Sequence, residues 1–467
     1  MTSLWTSSEI VEATGGTPRV EFEVTGVTFD SREVGSGDLF VAMPGTVFDG
    51  HKFVEQAFAA GAAAALVSQP VDGPHILVSD TFEALQALAR ASRARSSAKI
   101  VGVTGSVGKT STKEALAAAL ERGARGRVHR SVKSYNNHTG VPLSLARMPR
   151  DTAYAVLEVG MNNVGEIAAL TRLIRPHVAL VTAIAPAHIE HLGSEEAIAD
   201  AKGEIFEGLE DDGDAIIPND SPHRERLIRA ARKHAGRIIT FGGGDADVSA
   251  IHAVRAERGG SLITASLLER ELTFTVSQRG EHWVSNALAV LATVEALGAD
   301  VAIAGLALAD FSDLKGRGAR LAFEYGDGEI LIIDESYNAN PASMAATLRS
   351  LGKETKAKRR IAVLGTMREL GSHSDTLHAG LAPEIIAAKV DRLILIGEET
   401  RPLEVALEGR VALNRAQNVD HATRILMDQL QPWDAVLVKA SNSVGLARLV
   451  DQVAGGLRAV EPEPARR

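Results

Sequence analysis

The chain has no cysteine among its 467 residues. That excludes disulfides, thiol catalysis and thiolate metal sites, and it fits a cytoplasmic address. It has no basic excess either: 50 Lys and Arg stand against 59 Asp and Glu, a formal net charge of -9. Nonspecific nucleic-acid binding is therefore not expected, although a local basic pocket for a small anion stays open. No apolar run approaches the roughly 20 residues that span a bilayer, so no stable membrane insertion is expected. The start, MTSLWTSSEIVEATGG, lacks a basic segment followed by an apolar core, which argues against a signal peptide. Hydrophobic content of 45% and charged content of 23% describe an ordinary soluble globular protein.

What is present divides into three blocks, and length alone suggests about three domains. Residues 1–97 mix short strands such as GDLFVAM and AALVS with an Ala-rich helix, FVEQAFAAGAAA. The basic, serine-rich ASRARSSAK reads as a linker. Residues 98–316 alternate strand-like runs (IVGVTG, AYAVLEVG, VALVTAIA, AIIPN, RIITFG) with helical ones, then turn β-rich (SLITASLLERELTFTVS) before the helix HWVSNALAVLATVEALGA. Residues 317–467 alternate again through EILIIDES, a helix from Ser343, RIAVLGT, DRLILIG, DAVLVKAS and a last helix from about Leu446 to Val453. The expectation is α/β throughout: a small first domain, a central, mostly parallel sheet and a Rossmann-like third domain.

The strongest local signal is GVTGSVGKTST. After a strand, Gly105, Ser106, Val107 and Gly108 can turn so that backbone N–H groups face phosphate oxygens. Lys109 would reach the β and γ phosphates and the Thr110 hydroxyl would hold Mg²⁺. The strict pattern wants a glycine at Val103, and Gly102 is one residue off, so the kernel is Gly105-x-x-Gly108-Lys109-Thr110.

Glu158 ends the apolar run YAVLE, and His188 follows VALVTAIA through the turn APA. Carboxyl ends of strands form the ligand crevice of an open α/β sheet, so both residues fall near the phosphate loop. Taken singly, each has a plainer account: a strand-end acid in solvent, or a loop histidine bonded to backbone. Lys202 poses a sharper question. In SEEAIADAKGEIFEGL the apolar positions Ile198, Ala201, Ile205, Phe206 and Leu209 share one helical face, with Ser194 as N-cap. Lys202 belongs to that face. A buried ammonium needs a partner, so it pairs with something such as Glu158, snorkels to the helix edge, or serves a site.

These strings, with NNHTGVP, LEVGMNNVGEI, AHIEHLGS, DESYNANP and GTMRELG, occur in the order found in the Mur ligases of peptidoglycan synthesis. The resemblance covers nearly the whole chain. It includes DSREVGSGDLFVAMPGTVFDGHKFV, which resembles the family's UDP-binding domain, and AKGEIF and SYNANP point to the member that joins D-alanyl-D-alanine to UDP-N-acetylmuramoyl-tripeptide. The resemblance implies an ATP-dependent amide ligase working through an acyl phosphate, expected as a monomer. By matching motif positions, residues Gly105 to Ser111 hold ATP, with Thr110 on a first Mg²⁺ and Glu158 bridging; His188 ligates a second Mg²⁺; and Lys202 is carbamylated by CO₂ to serve that second metal site. The resemblance further implies nucleotide contacts from Asn286, Asp334, Asn338 and one arginine, where counting back from Asp334 favours Arg320 over Arg317. Ser31, Arg32, Asp49, Gly50 and His51 match the uridine and diphosphate region. Asn136, Asn137 and Tyr337 would meet substrate.

Three positions depart from the family pattern: Ser134 and Thr366 stand where an asparagine and an aspartate are usual, and Ala440 replaces a glycine. Another Mur ligase, or a folylpolyglutamate synthase-like ligase, shares the phosphate loop, but the latter normally lacks the DSR…DGH block. A nucleotide-driven switch would leave Lys202, His188 and the first domain unexplained.

Overall fold

The computed structural model describes residues 3–45, 49–187, 189–256 and 259–460; His188 lies outside them. Among the described residues, a two-stranded ribbon pairs Trp5–Thr6 with Glu23–Val24, and three larger sheets follow one another along the chain. The first is five-stranded, in the order Thr17–Pro18, His75–Leu77, Ala64–Val67, Asp38–Val41, Gly26–Thr28. The second has nine strands. Its heart is Lys99–Thr104, flanked in parallel by Tyr154–Glu158 and Val178–Val181. The chain leaves Lys99–Thr104 for the far strand Val128–Arg130, returns to Tyr154–Glu158 between them, then crosses to Val178–Val181 on the other side. That reversal opens a crevice beyond Thr104, Glu158 and Val181.

The central strands are apolar on both faces because helices cover both. Lys109–Ala124, Glu281–Ala296 and Val301–Ala309 pack on one side through Leu116, Leu120, Leu288 and Leu291. Gly140–Ala146, Glu166–Ile174, Glu195–Gly203 and Arg224–Ala231 form the other layer. Each large apolar side chain so buried contributes about 1.5–3 kcal/mol by leaving water. The third sheet, seven-stranded, carries the parallel strands Gly328–Glu335, Asp434–Lys439 and Arg359–Gly365 side by side.

Several sequence expectations shift. The ASRARSSAK segment is helical through Arg95, within Thr81–Arg95. Its basic residues have long-range partners: Arg93 donates to the carbonyls of Ile174 and Arg175 and to Glu210, and the Arg95 guanidinium lies 3.5 Å over the Trp5 ring. The helix through Lys202 ends at Gly203 and tightens into the 3₁₀ turn Glu204–Gly208, keeping Ile205 and Phe206 fully buried. Gly208 abuts the Thr171 carbonyl where a Cβ would come within 2.2 Å, and Thr171 Oγ1 bonds the Ile205 carbonyl at 2.7 Å. Among the strands that the sequence pattern does not announce are Val248–Arg255 and Ala412–Ala416, whose faces are largely polar or exposed. The helix placed from Ser343 begins at Pro341, with Asn340 as N-cap.

Candidate active site at the phosphate loop

Gly105 has φ +147°, and a Cβ there would fall 2.0 Å from Thr182 Oγ1, so only glycine lets the strand turn at this point. Thr182 Oγ1 donates to the Val107 carbonyl at 2.6 Å and braces the loop from the neighbouring strand end. Gly108, at φ +84°, begins the helix Lys109–Ala124 with no side-chain cap. The first N–H groups of that helix are thus free to face an anion, and the helix dipole adds to the attraction. Lys109 Nζ folds back onto the Gly105 carbonyl at 2.5 Å. Burial pushes its ammonium below the usual range; Glu158 opposes that shift and Arg317 adds to it. Asn286 stands next to the loop, its Oδ1 3.1 Å from where a Gly108 Cβ would sit. Ser106 Oγ is buried and has no partner among the described residues, and Ser111 lies half-buried on the first helical turn.

Thr110 Oγ1 donates to Glu158 Oε2 at 2.7 Å, and Asn136 Nδ2 donates to Oε1 at 2.8 Å. The Glu158 backbone N–H bonds Ser131 Oγ at 3.1 Å, and its side chain is buried. Lys202 is fully buried, and among the described residues its Nζ has no partner. Burial above all, and the Lys109 ammonium after it, hold that amine well below its ordinary range, so the neutral form is favoured. Lys202 therefore neither snorkels nor forms an ion pair with Glu158.

Tyr337 reaches in from the third sheet, its hydroxyl donating to Ser134 Oγ at 2.6 Å. Arg317 lies 3.9 Å over the Tyr337 ring and donates to the same Ser134 oxygen at 3.3 Å. Arg320, favoured from the sequence, is instead paired with Glu354 at 2.6 Å, and Arg317 is the arginine beside the loop. Asp334 is buried and accepts from Gly316 N–H and from Ser336 N–H and Oγ, pinning the crossing into the third sheet. Asn338 Oδ1 accepts from Ala339 N–H, and its carbonyl accepts from Lys439 Nζ. Asn137 uses its amide oxygen on the N–H groups of Thr139 and Gly140. Thr366 donates to Glu399 Oε2 at 2.9 Å.

In the first unit Arg32 grips Asp30 through two bonds, and the guanidinium holds that carboxyl down to about 2. Ser31 bonds Gln56 at 3.4 Å. Asp49 accepts from the N–H and Nδ1 of His51, whose Nε2 accepts from Ser68 N–H. Gly50 leaves no room for a Cβ, which would sit 2.6 Å from Met43 N. Lys113, Thr182 and the contact role of Ser134 were not expected from the sequence. Lys113 had the same signal as Lys202, a lysine on the buried face of its helix.

Among the described residues no three His, Asp or Glu side chains cluster as a metal site. The Thr110 and Glu158 oxygens, 2.7 Å apart at the mouth of the phosphate loop, are the hard donors that Mg²⁺ takes while keeping water and phosphate ligands. They fit that ion.

Sequence profiles of the Mur ligase middle domain, the Mur ligase glutamate ligase domain and the Mur ligase family catalytic domain match residues 103–294, 319–442 and 23–123. The UDP-N-acetylmuramoyl-tripeptide–D-alanyl-D-alanine ligase of Bacillus subtilis is 36% identical over 95% of this chain and 96% of its own, and that of Synechocystis sp. is 36% identical over 93% and 92%. A MurF crystal structure from Acinetobacter baumannii superposes with TM-score 0.83 at 30% identity, covering 97% and 99% of the two chains. A MurF ligase from Thermotoga maritima in complex with ADP gives 0.76 at 27% identity, covering 92% and 96%. The chain belongs to the Mur ligase family.

Proposed function

We propose that the protein is a cytoplasmic, monomeric ATP-dependent amide ligase that joins D-alanyl-D-alanine to UDP-N-acetylmuramoyl-tripeptide in peptidoglycan precursor synthesis. ATP would phosphorylate the terminal carboxylate of the tripeptide. The dipeptide amine would then attack that acyl phosphate and phosphate would leave. The observation that carries this reading is the meeting of an uncapped helix N-terminus, Lys109 and the Thr110–Glu158 pair at one crevice, in a chain similar over nearly its full length to ligases named for this reaction.

The chain's own residues divide the work. The free N–H groups after Gly108 and the Lys109 ammonium would hold the β and γ phosphates and stabilise charge as it shifts to the leaving ADP. Thr110 and Glu158 would hold one Mg²⁺ and, by family resemblance, His188 a second; when bound, these ions would supply positive charge to the phosphates. Lys202, with its amine unpartnered in the core, would take up CO₂: an N–C bond forms, a proton is released, and a buried base becomes a carboxylate. Asn286 would meet the adenine, Arg317 the phosphates and Tyr337 the substrate side. Residues 1–97 with Ser31, Arg32, Asp49, Gly50 and His51 would hold the UDP moiety, 98–316 the ATP, and 317–467 would close over both.

The test is a substrate-omission assay with purified protein, ATP, Mg²⁺, UDP-N-acetylmuramoyl-tripeptide and D-alanyl-D-alanine. Phosphate release is expected only with the complete mixture, together with a product heavier than the tripeptide by the dipeptide less water. Release that ignores the dipeptide would sink the reading.

A further inference from the structure

Lys113 is as deeply buried as Lys202 but fully partnered. It lies on the helix Lys109–Ala124, one turn beyond Thr110. Its Nζ donates to the carbonyls of Ser131 and Lys133, each at 2.7 Å, and stands 3.0 Å from Glu114 and 3.9 Å from Glu158 Oε2. Burying a cation is expensive, and an apolar side chain of similar volume would fill this space more cheaply. What the ammonium does is therefore informative.

The carbonyls it holds are the root of segment 131–136. That segment is strained, since Lys133 has φ +53° without being glycine. It also carries two of the described side chains that hold Glu158: Ser131 Oγ accepts from the Glu158 N–H, and Asn136 Nδ2 bonds Oε1. The Asn136 carbonyl in turn accepts from Gly160 N–H at 2.7 Å, just past Glu158. One side chain thus ties the helix that presents Thr110 to the loop that aims the carboxylate facing it.

We propose that Lys113 is a positioning residue for the nucleotide chemistry: its buried ammonium clamps segment 131–136 to the phosphate-loop helix and so sets Glu158 against Thr110. This rests on the ligase reading above, and it assigns Lys113 no contact with nucleotide or substrate.

The test uses the full chain with Lys113→Met, which keeps the aliphatic volume and removes the donor. The Mg²⁺ concentration for half-maximal turnover is expected to rise about 10–100-fold, as for other supports of metal-holding groups. ADP binding measured by calorimetry in EDTA should change little, because the loop N–H groups are untouched. Lys113→Arg should recover part of the Mg²⁺ response. Ser131→Ala, a small change at a buried site, should move the Mg²⁺ curve in the same direction. A folded Lys113→Met with the wild-type Mg²⁺ curve overturns the proposal, as does loss of metal-free ADP binding in proportion to turnover. Should Lys113→Met not fold, a wild-type Mg²⁺ curve for Ser131→Ala overturns it instead. Wild-type protein that forms no product in this assay fails the ligase reading alone; the Mg²⁺ dependence of ADP binding, compared between wild type and variants, then decides the role of Lys113.

Discussion

His129 stays neutral in the folded chain because burial lowers its pKa to about 4, with Arg147 and Arg130 nearby acting in the same direction. Its Nε2 donates to the Ser144 carbonyl at 2.7 Å. The folded value lies below the unfolded one, so the unfolded chain binds the extra proton as pH falls. The stability that the neutral ring supplies is present above pH 6.5 and is lost between there and about 4. Linkage puts the loss from pH 7.5 to 5 at about 2 kcal/mol, an upper figure because the ring is only half-buried. Urea midpoints of wild type and His129→Gln at the two pH values check this: the variant, which keeps a donor but cannot titrate, should show a flatter profile. A second residue-scale prediction concerns Lys202. With ¹³C-bicarbonate, a carbamate carbon signal is expected in wild type and should be missing in Lys202→Ala, whose turnover should fall about 100-fold or more, the upper end for lost metal-site members. Full turnover in that variant would leave Lys202 a merely buried amine.

At the scale of elements, Glu204 does the work of a missing cap. The helix Glu166–Ile174 starts at Gly165, which has no side chain to bond the first turn, and Glu204 accepts from Gly165 N–H at 2.7 Å and Ala168 N–H at 3.1 Å. Glu204→Ala should cost about 1–2 kcal/mol, the range for losing a cap plus a charge at a helix start. Faster hydrogen exchange confined to amides 166–174 would report it; unchanged protection would mean that tertiary packing alone holds the helix. The phosphate loop was legible in the sequence because its geometry is local: two glycines, a strand before and a helix after. Lys202 was legible as an anomaly because helical periodicity places it inside. Other features depend on distant partners. Arg93 and Arg95 look like linker charge until Ile174, Glu210 and Trp5 are brought to them. Nor does the sequence show that Arg320 pairs with Glu354, from the end of another helix, while Arg317 stacks over Tyr337. The strand Ala412–Ala416 reads ALNRA, too polar for its pattern to announce an edge.

At the scale of the whole molecule, the second and third units touch near the phosphate loop. Glu190 N–H meets the Glu369 carbonyl at 3.3 Å, and a Cβ on Gly371 would stand 3.2 Å from the Glu190 Cβ. That separation is near the range a disulfide spans, and the chain offers no other cysteine to compete. In the Glu190→Cys, Gly371→Cys double variant, oxidation should fasten the two units together and stop turnover, and dithiothreitol should restore it, if substrates enter by their separation. Undiminished turnover of the cross-linked form would show that no such opening is needed.

Segment 131–136 has a wider consequence. Tyr135 and Lys133 bond Glu33 of the first unit, Asn136 bonds Glu158 of the second, and Ser134 bonds Tyr337 of the third. Six consecutive residues therefore act as a conjunction, registering whether all three bodies are seated. Substitutions at Glu33 and Tyr337, which bond different residues of this segment, should be non-additive in a double-mutant cycle, because each is read through the same short stretch of backbone.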